Sequence, residues 1–284
     1  MKLSKIFALL LALCLISSAA CAATFTDAHG NVIELDDSLE AYAAVTLVGA
    51  DNAARQGETN LGDLWADALR WFAVSGEINA AFDEDDVKAG NDRIAVDADH
   101  VVALWNGGNL RVDIAEGTFG AEALAEVLPF PNKVAVVYMT GAQLLETLEA
   151  ASQGLPYTAE TADACASLMQ VSGLTYTVDT TKAYDALEAY GDHWFTAGSV
   201  SRVRIDDVNG QPFDAEATYA VVTSNANFNG MDSSYVLKAA AEANEQSAVT
   251  TAVVRDVVFR FIAAELNHQV GEAYAAPQGR LTIL

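Results

Sequence analysis

The stretch from Asn60 to Val74 sets the first condition on any fold of this chain. Leu61, Leu64, Trp65, Ala68, Leu69 and Phe72 recur at helical spacing on one face. That spacing predicts an amphipathic helix whose broad apolar stripe must be covered by another element. The run Val101 to Trp105 reads as a short buried strand that enters the turn Asn106-Gly107-Gly108. Further on, Ala121 to Val127 reads as a short helix stopped by Pro129, and Lys133 to Tyr138 as a strand. Thr140, with Gln143 three residues later, forms a capping-box pattern for a helix that Gly154 is expected to end. Leu168 to Val178 reads as a strand region broken at Gly173, and Val200 to Val208 as a strand turning at Asn209-Gly210. Tyr219 to Thr223 is a further strand, Val253 to Asn267 a helix, and Arg280 to Leu284 a closing strand.

Helices and strands are interspersed without a regular βαβ rhythm, and no internal repeat or low-complexity linker divides Ala44 to Leu284. The expected fold class is therefore α+β. Phe25 to Leu35 reads as a hairpin around His29-Gly30-Asn31, and Asp36 to Ala44 as an acidic connector. Lys2 and Lys5 precede the apolar run Phe7 to Ile16 and the small residues Ser17 to Ala23. This is the pattern of a secretory signal peptide, with a run too short to span a bilayer. The expected organisation is a signal peptide over 1–22, a hairpin extension over 23–43 and one domain over 44–284. Cys21 also admits a lipoprotein reading, although Ser18 stands where the lipobox has a large apolar residue. The expected location is thus exported: periplasmic, extracellular or on the cell envelope.

The chain carries 39 acidic residues against 15 Lys and Arg, a formal net charge of -24. Such a surface argues against nucleic-acid binding and against electrostatic docking on anionic lipid. Of three cysteines only Cys165 lies clear of the signal and its cleavage region. A single thiol forms no internal disulfide, and a small buried apolar role suits it better than a nucleophilic one.

The residues that can carry binding chemistry come in short motifs. Arg55 precedes a helix start and Arg111 follows a glycine turn, and two guanidiniums on one surface can hold phosphate or ribose oxygens with forked hydrogen bonds. Gly107 and Gly108 permit a tight turn and close backbone approach to a ligand. Phe130, after Pro129, can offer an aromatic face, and Asp232 can accept hydrogen bonds from hydroxyls. Each also fits a plain structural role: Arg55 in a local ion pair with Glu58, Asn106 capping a strand end, Phe130 in the core. Asp192-His193 beside Trp194 has the makings of an acid–base pair, but no nucleophile motif accompanies it. The acidic run Asp83 to Asp86 lacks the spacing of a calcium loop.

Six motifs stand in fixed order. They are Arg55-Gln56-Gly57-Glu58-Thr59-Asn60-Leu61-Gly62-Asp63-Leu64, Asn106-Gly107-Gly108-Asn109-Leu110-Arg111, Leu128-Pro129-Phe130, Thr140-Gly141, Gln170-Val171-Ser172-Gly173-Leu174 and Asn229-Gly230-Met231-Asp232. With the closing Gly279-Arg280-Leu281, their order and spacing resembles the C-terminal domain of the bacterial and animal 5'-nucleotidases over about Thr46 to Leu284. The resemblance implies layered mixed sheets with packed helices and a nucleoside-binding role. It matches Arg55 and Arg111 to arginines facing the substrate, Asn106 to an asparagine reading the base, Phe130 to one of two stacking rings and Asp232 to the carboxylate holding ribose. Gly108 belongs to the same set. The second ring belongs where Ala226 stands, and Phe228, two positions on, substitutes only if the loop is shifted. The run after Asn229 has one extra residue and two fewer glycines than the family's.

In that family the chemistry lies in an N-terminal two-metal phosphoesterase domain. Two-metal hydrolysis needs several Asp, His and Asn ligands, and this chain has only four histidines. Asp27-Ala28-His29 echoes the first metal motif but reads better as a hairpin turn, because the other ligands do not follow. The implied chain has no catalytic residue, no metal ligand and no cofactor. It binds a nucleoside or nucleotide, with a separate metallophosphoesterase chain as a candidate partner, and neither binds nucleic acid nor spans a membrane. Degeneration into a cell-envelope interaction module is the remaining alternative.

Overall fold

The computed structural model describes residues 23–26, 32–35, 40–82, 94 and 96–284. Strands β1 (Ala23–Thr26) and β2 (Val32–Leu35) pair antiparallel with Ala23 opposite Leu35, which gives the expected hairpin; its turn lies outside the described residues. The signal segment and the acidic run after Phe82 lie outside them too. Strand β3 (Glu40–Ala43) corrects the connector reading. Its partners, β5 and β14 below, are distant in sequence, so no local pattern announces it.

The one-turn helix α1 (Ala53–Gln56) leads into α2 (Asn60–Val74), whose bounds match the amphipathic stretch. The Thr59 side chain accepts the Gly62 N–H at 3.0 Å and caps the helix. Then follow β4 (Val101–Asn106), β5 (Gly117–Gly120), α3 (Ala121–Val127), β6 (Lys133–Thr140) and α4 (Gly141–Ala151). The capping box of Thr140 and Gln143 is present at α4. Gly154 is not its terminator, since the helix closes at Ser152. A Cβ at Gly154 would crowd the Cys165 backbone, which accounts for the glycine better. Next come β7 (Met169–Ser172) and β8 (Leu174–Val178), separated by Gly173 at φ +80°. The hairpin β9 (Ala186–Tyr190) and β10 (Trp194–Ala197) precedes β11 (Val203–Val208) and β12 (Thr218–Ser224). The chain ends with α5 (Asn225–Phe228), α6 (Tyr235–Ala243), β13 (Ala248–Val253), α7 (Val254–Ala264), β14 (Gln269–Val270) and β15 (Leu281–Ile283). Helix α7 stops short of Asn267 because the backbone turns left-handed at Asn267 and His268 to enter β14.

The architecture is α+β, with layered sheets and packed helices. Its centre is a mixed five-stranded sheet in the order β13-β6-β12-β4-β7. Side chains alternate across it. Val101, Ala103 and Trp105 of β4 face a core shared with α2 and α7, while Val102 and Leu104 face a second core shared with α4 and α6. Trp65 of α2 and Trp105 are both fully buried, with ring centroids 6.2 Å apart. A three-stranded sheet, β11-β8-β15, backs the second core, and another, β14-β3-β5, flanks the first. Apolar burial on both faces explains why β4 reads as a continuous apolar run.

One carboxyl pair, a fully buried Asp63 and a half-buried Glu58, sits beneath this framework. Asp63 of α2 is fully buried and accepts the Gln278 N–H, while Glu58 accepts the Leu281 N–H. The remaining oxygens, Asp63 Oδ1 and Glu58 Oε1, are buried without another hydrogen-bond partner. Burial pushes the Asp63 carboxyl up to about 8 against the pull of Arg280, with the neighbouring Glu58 carboxyl adding to the rise. A carboxyl raised in the folded state stabilises the fold fully below its unfolded value near 4, and that contribution is lost as pH rises to about 8. Denaturant titrations should therefore show the advantage of wild type over Asp63→Asn greatest at acid pH and shrinking up to about pH 8. A difference that stays flat across that range would contradict the raised Asp63 carboxyl.

Candidate functional site

The C-terminal end of β4 and the turns facing it enclose a cavity of about 620 Å³. Six of the seven residues singled out in the sequence line it: Arg55, Asn106, Gly108, Arg111, Phe130 and Asp232. Residues as far apart as Arg55 and Asp232 meet here because α1, β4 and the turn after α5 converge at one sheet end. Phe228 does not join them. It packs against the second core, so the loop shift needed to bring it into the site does not occur.

Asn106, the last residue of β4, is buried. Its Nδ2 donates to Asp232 Oδ2 at 2.9 Å, and its Oδ1 accepts from Asn109 Nδ2 at 2.8 Å. Its side chain thus bonds to these two neighbours rather than capping the strand end, and it lines the cavity. It fixes the Asp232 carboxylate, which sits at φ +55° in the turn between α5 and α6. Burial raises the Asp232 carboxyl above the ordinary range, while the Asn106 N–H and the Arg55 charge hold it down.

The expected ion pair between Arg55 and Glu58 is not formed, since Glu58 is turned toward Leu281. Arg55 Nη1 instead donates to the Ala162 carbonyl at 2.9 Å and lies 3.8 Å from Asp163 Oδ1. Asp163 Oδ2 lies 3.9 Å from His193 Nε2. Arg111 is exposed, and its guanidinium lies 4.8 Å from the centroid of the Phe130 ring. Phe130 is 44% exposed, which excludes the core role for it. Arg111 has no carboxylate within ion-pair distance among the described residues. It is thus a cation held by a ring on the rim of a cavity, in a chain of net charge -24.

Trp194, His193, Asn109, Asp163, Asn225 and Met231 also line the cavity. The sequence offered Asp192 and His193, beside Trp194, as an acid–base pair. The structure places His193 and Trp194 on the cavity wall and leaves Asp192 outside it. The long-range fold of the β9–β10 hairpin brings them there, and no spacing in the sequence carries that information. Cys165 is fully buried with its Sγ 3.8 Å from Thr161 Oγ1, and burial pushes the thiol up, as suits a packing role. Among the described residues no group of three or more His, Cys, Asp or Glu is placed to hold a metal ion. No helix among them is long and apolar enough to cross a membrane.

Residues 40–239 match the family model of the 5'-nucleotidase C-terminal domain. The trifunctional nucleotide phosphoesterase protein YfkN of Bacillus subtilis (strain 168) is 28% identical over 188 residues, covering 65% of this chain and 10% of that protein. The solved 5'-nucleotidase precursor from Thermus thermophilus aligns with a TM-score of 0.62 at 28% identity, over 86% of this chain and 39% of its own. The Haemophilus influenzae NAD nucleotidase (NadN) aligns with a TM-score of 0.57 at 15% identity, over 86% and 38%. That second likeness is one of fold. The chain spans about two fifths of these solved relatives and a tenth of the Bacillus protein.

The floor of the cavity depends on two glycines. A Cβ on Gly107 would overlap the Ala54 carbonyl oxygen, and one on Gly108 would come within 2.7 Å of the Ala166 Cβ. Gly107→Ala should lower unfolding stability in urea by about 1–3 kcal/mol, the usual range for overpacking against fixed backbone. Wild-type stability in that variant would show that Ala54 and the Arg55 turn yield freely.

Proposed function

The chain belongs to the 5'-nucleotidase C-terminal domain family, and from that premise we propose that it is an exported module that binds a nucleoside or nucleotide without hydrolysing phosphate alone. The single observation that carries this reading is the Asn106–Asp232 hydrogen bond facing Arg111 across one cavity. A fixed carboxylate accepts two ribose hydroxyls, and a guanidinium without an acidic partner meets an anionic substituent. The volume of about 620 Å³ lies within the range of small-molecule sites. Export rests on Lys2, Lys5 and the apolar run Phe7 to Ile16.

The charge of -24 repels anions at long range, though screening confines this to about 8–10 Å at physiological salt. A neutral nucleoside escapes that repulsion, and Arg111 offsets it locally for a monophosphate. The phosphate hydrolysis that the family resemblance implies uses a two-metal phosphoesterase. The second reading supplies it from a separate chain, and it draws on the finding that no group of three or more His, Cys, Asp or Glu among the described residues is placed to hold a metal ion. Hydrolysis appearing only when such a chain is added would support this second reading.

Isothermal titration calorimetry with nucleosides and their 5'-monophosphates, with and without divalent metal, tests the proposal. Saturable binding is expected, weakened at least about tenfold for the monophosphates by Arg111→Ala. No heat from any member of the panel at high concentration overturns it. Because binding uses the Asp232 carboxylate, affinity should fall as pH is lowered through its raised range, and Asp232→Asn should remove that dependence. An unchanged pH profile in Asp232→Asn would take ribose recognition away from this residue.

A further inference from the structure

The hairpin β9–β10 stands out against the rest of the chain. Most of β9 is exposed, and Leu187 is 68% exposed. Yet its tip is tied down at several points. Tyr190 Oη donates to the Gly230 carbonyl at 2.7 Å, on the turn that carries Asp232. The Tyr190 ring lies 5.6 Å from that of Tyr235. Trp194, paired with Tyr190 across the hairpin, donates its Nε1–H to the Ala164 carbonyl at 3.2 Å. The Phe195 N–H is taken by Gln153 and the Ala197 N–H by the Tyr235 hydroxyl. An arm with little buried apolar surface is thus held by polar anchors on either side of the cavity.

What these anchors hold in place is an indole. Trp65 and Trp105 are fully buried packing residues, whereas Trp194 is only half-buried and lines the cavity. Its one polar atom is already satisfied by Ala164, so the ring has no hydrogen bond to offer a ligand and only its π-surface to present. The His193 ring packs edge-on against it at 5.6 Å. The other large ring on the cavity wall, Phe130, carries the Arg111 guanidinium. Ala226 and Phe228 contribute no ring to the wall.

We infer that Trp194 is a specificity-determining residue of this site, presenting its indole to the planar base of a nucleoside and favouring the larger purines over pyrimidines. The inference rests on the nucleoside reading of the cavity. Stacking on an aromatic side chain scales with the overlapped ring surface, and its loss by alanine substitution costs about 1–3 kcal/mol, roughly tenfold or more in affinity. The Tyr190–Gly230 bond gives the arm a second effect, since it links the indole to the turn that sets Asp232. Base recognition and ribose recognition are then fixed relative to one another.

The test titrates the purified chain with adenosine, guanosine, cytidine and uridine, by calorimetry and by tryptophan fluorescence. Wild type should bind the purines several-fold tighter than the pyrimidines, with quenching of its emission. Trp194→Ala should bind purines about tenfold more weakly and lose the purine preference. Trp194→Phe, which keeps an aromatic face, should retain most of the affinity while ligand quenching disappears. That variant also decides the matter if the alanine variant fails to fold. Equal purine affinity in wild type and Trp194→Ala would overturn the inference and leave the nucleoside site standing. Wild type binding none of the four would overturn the nucleoside reading and this inference with it.

Discussion

The structure hangs on one buried amide. The Gln170 side chain, on β7, accepts the Thr59 N–H and donates to the carbonyls of Ala54 and Gly57, each at 3.0 Å. A carboxamide has one acceptor oxygen and two donor hydrogens, and here all three functions are directed at a single turn. Buried backbone groups left without partners are costly, so this one side chain makes burial of the α1–α2 turn tolerable. It thereby clamps the segment bearing Arg55 to the edge of the central sheet. Gly62 completes the clamp, because a Cβ there would collide with the Gln170 amide.

Other polar contacts extend the clamp rather than compete with it. Asn60 donates to Thr46 and Tyr274. Ser172 donates to Asp67, which also receives Arg280 and Tyr274. The C-terminal segment is thus tied to α2 by charge-assisted bonds. The cavity lies where this polar framework meets the apolar sheet. Its groups belong to turns, but each turn is held by a strand end or a buried hydrogen bond. Such a site is pre-formed, and ordering it on binding costs little.

Elements with their own internal signal were legible in the sequence. The apolar stripe fixed α2, the Thr140–Gln143 box fixed the start of α4, and Gly173 marked the break between β7 and β8. Elements defined by distant partners were not. Strand β3 and the β9–β10 hairpin carry weak local patterns and take their identity from pairing. The site divides in the same way. Motif order brought out Arg55, Asn106, Gly108, Arg111, Phe130 and Asp232, which converge. It did not reveal that many motif residues, Gln170, Gly62, Asn60 and Arg280 among them, serve the framework. Nor did it reveal that Trp194 and His193 arrive from an arm.

The central claim is that a nucleoside occupies the cavity with its ribose on Asp232. A crystal structure of the chain grown with saturating adenosine tests it most directly. The expected result is adenosine within the cavity, both ribose hydroxyls within hydrogen-bond distance of the Asp232 carboxylate and Asn106 still bonded to it. A cavity holding only solvent, or adenosine bound elsewhere on the surface, would contradict the account.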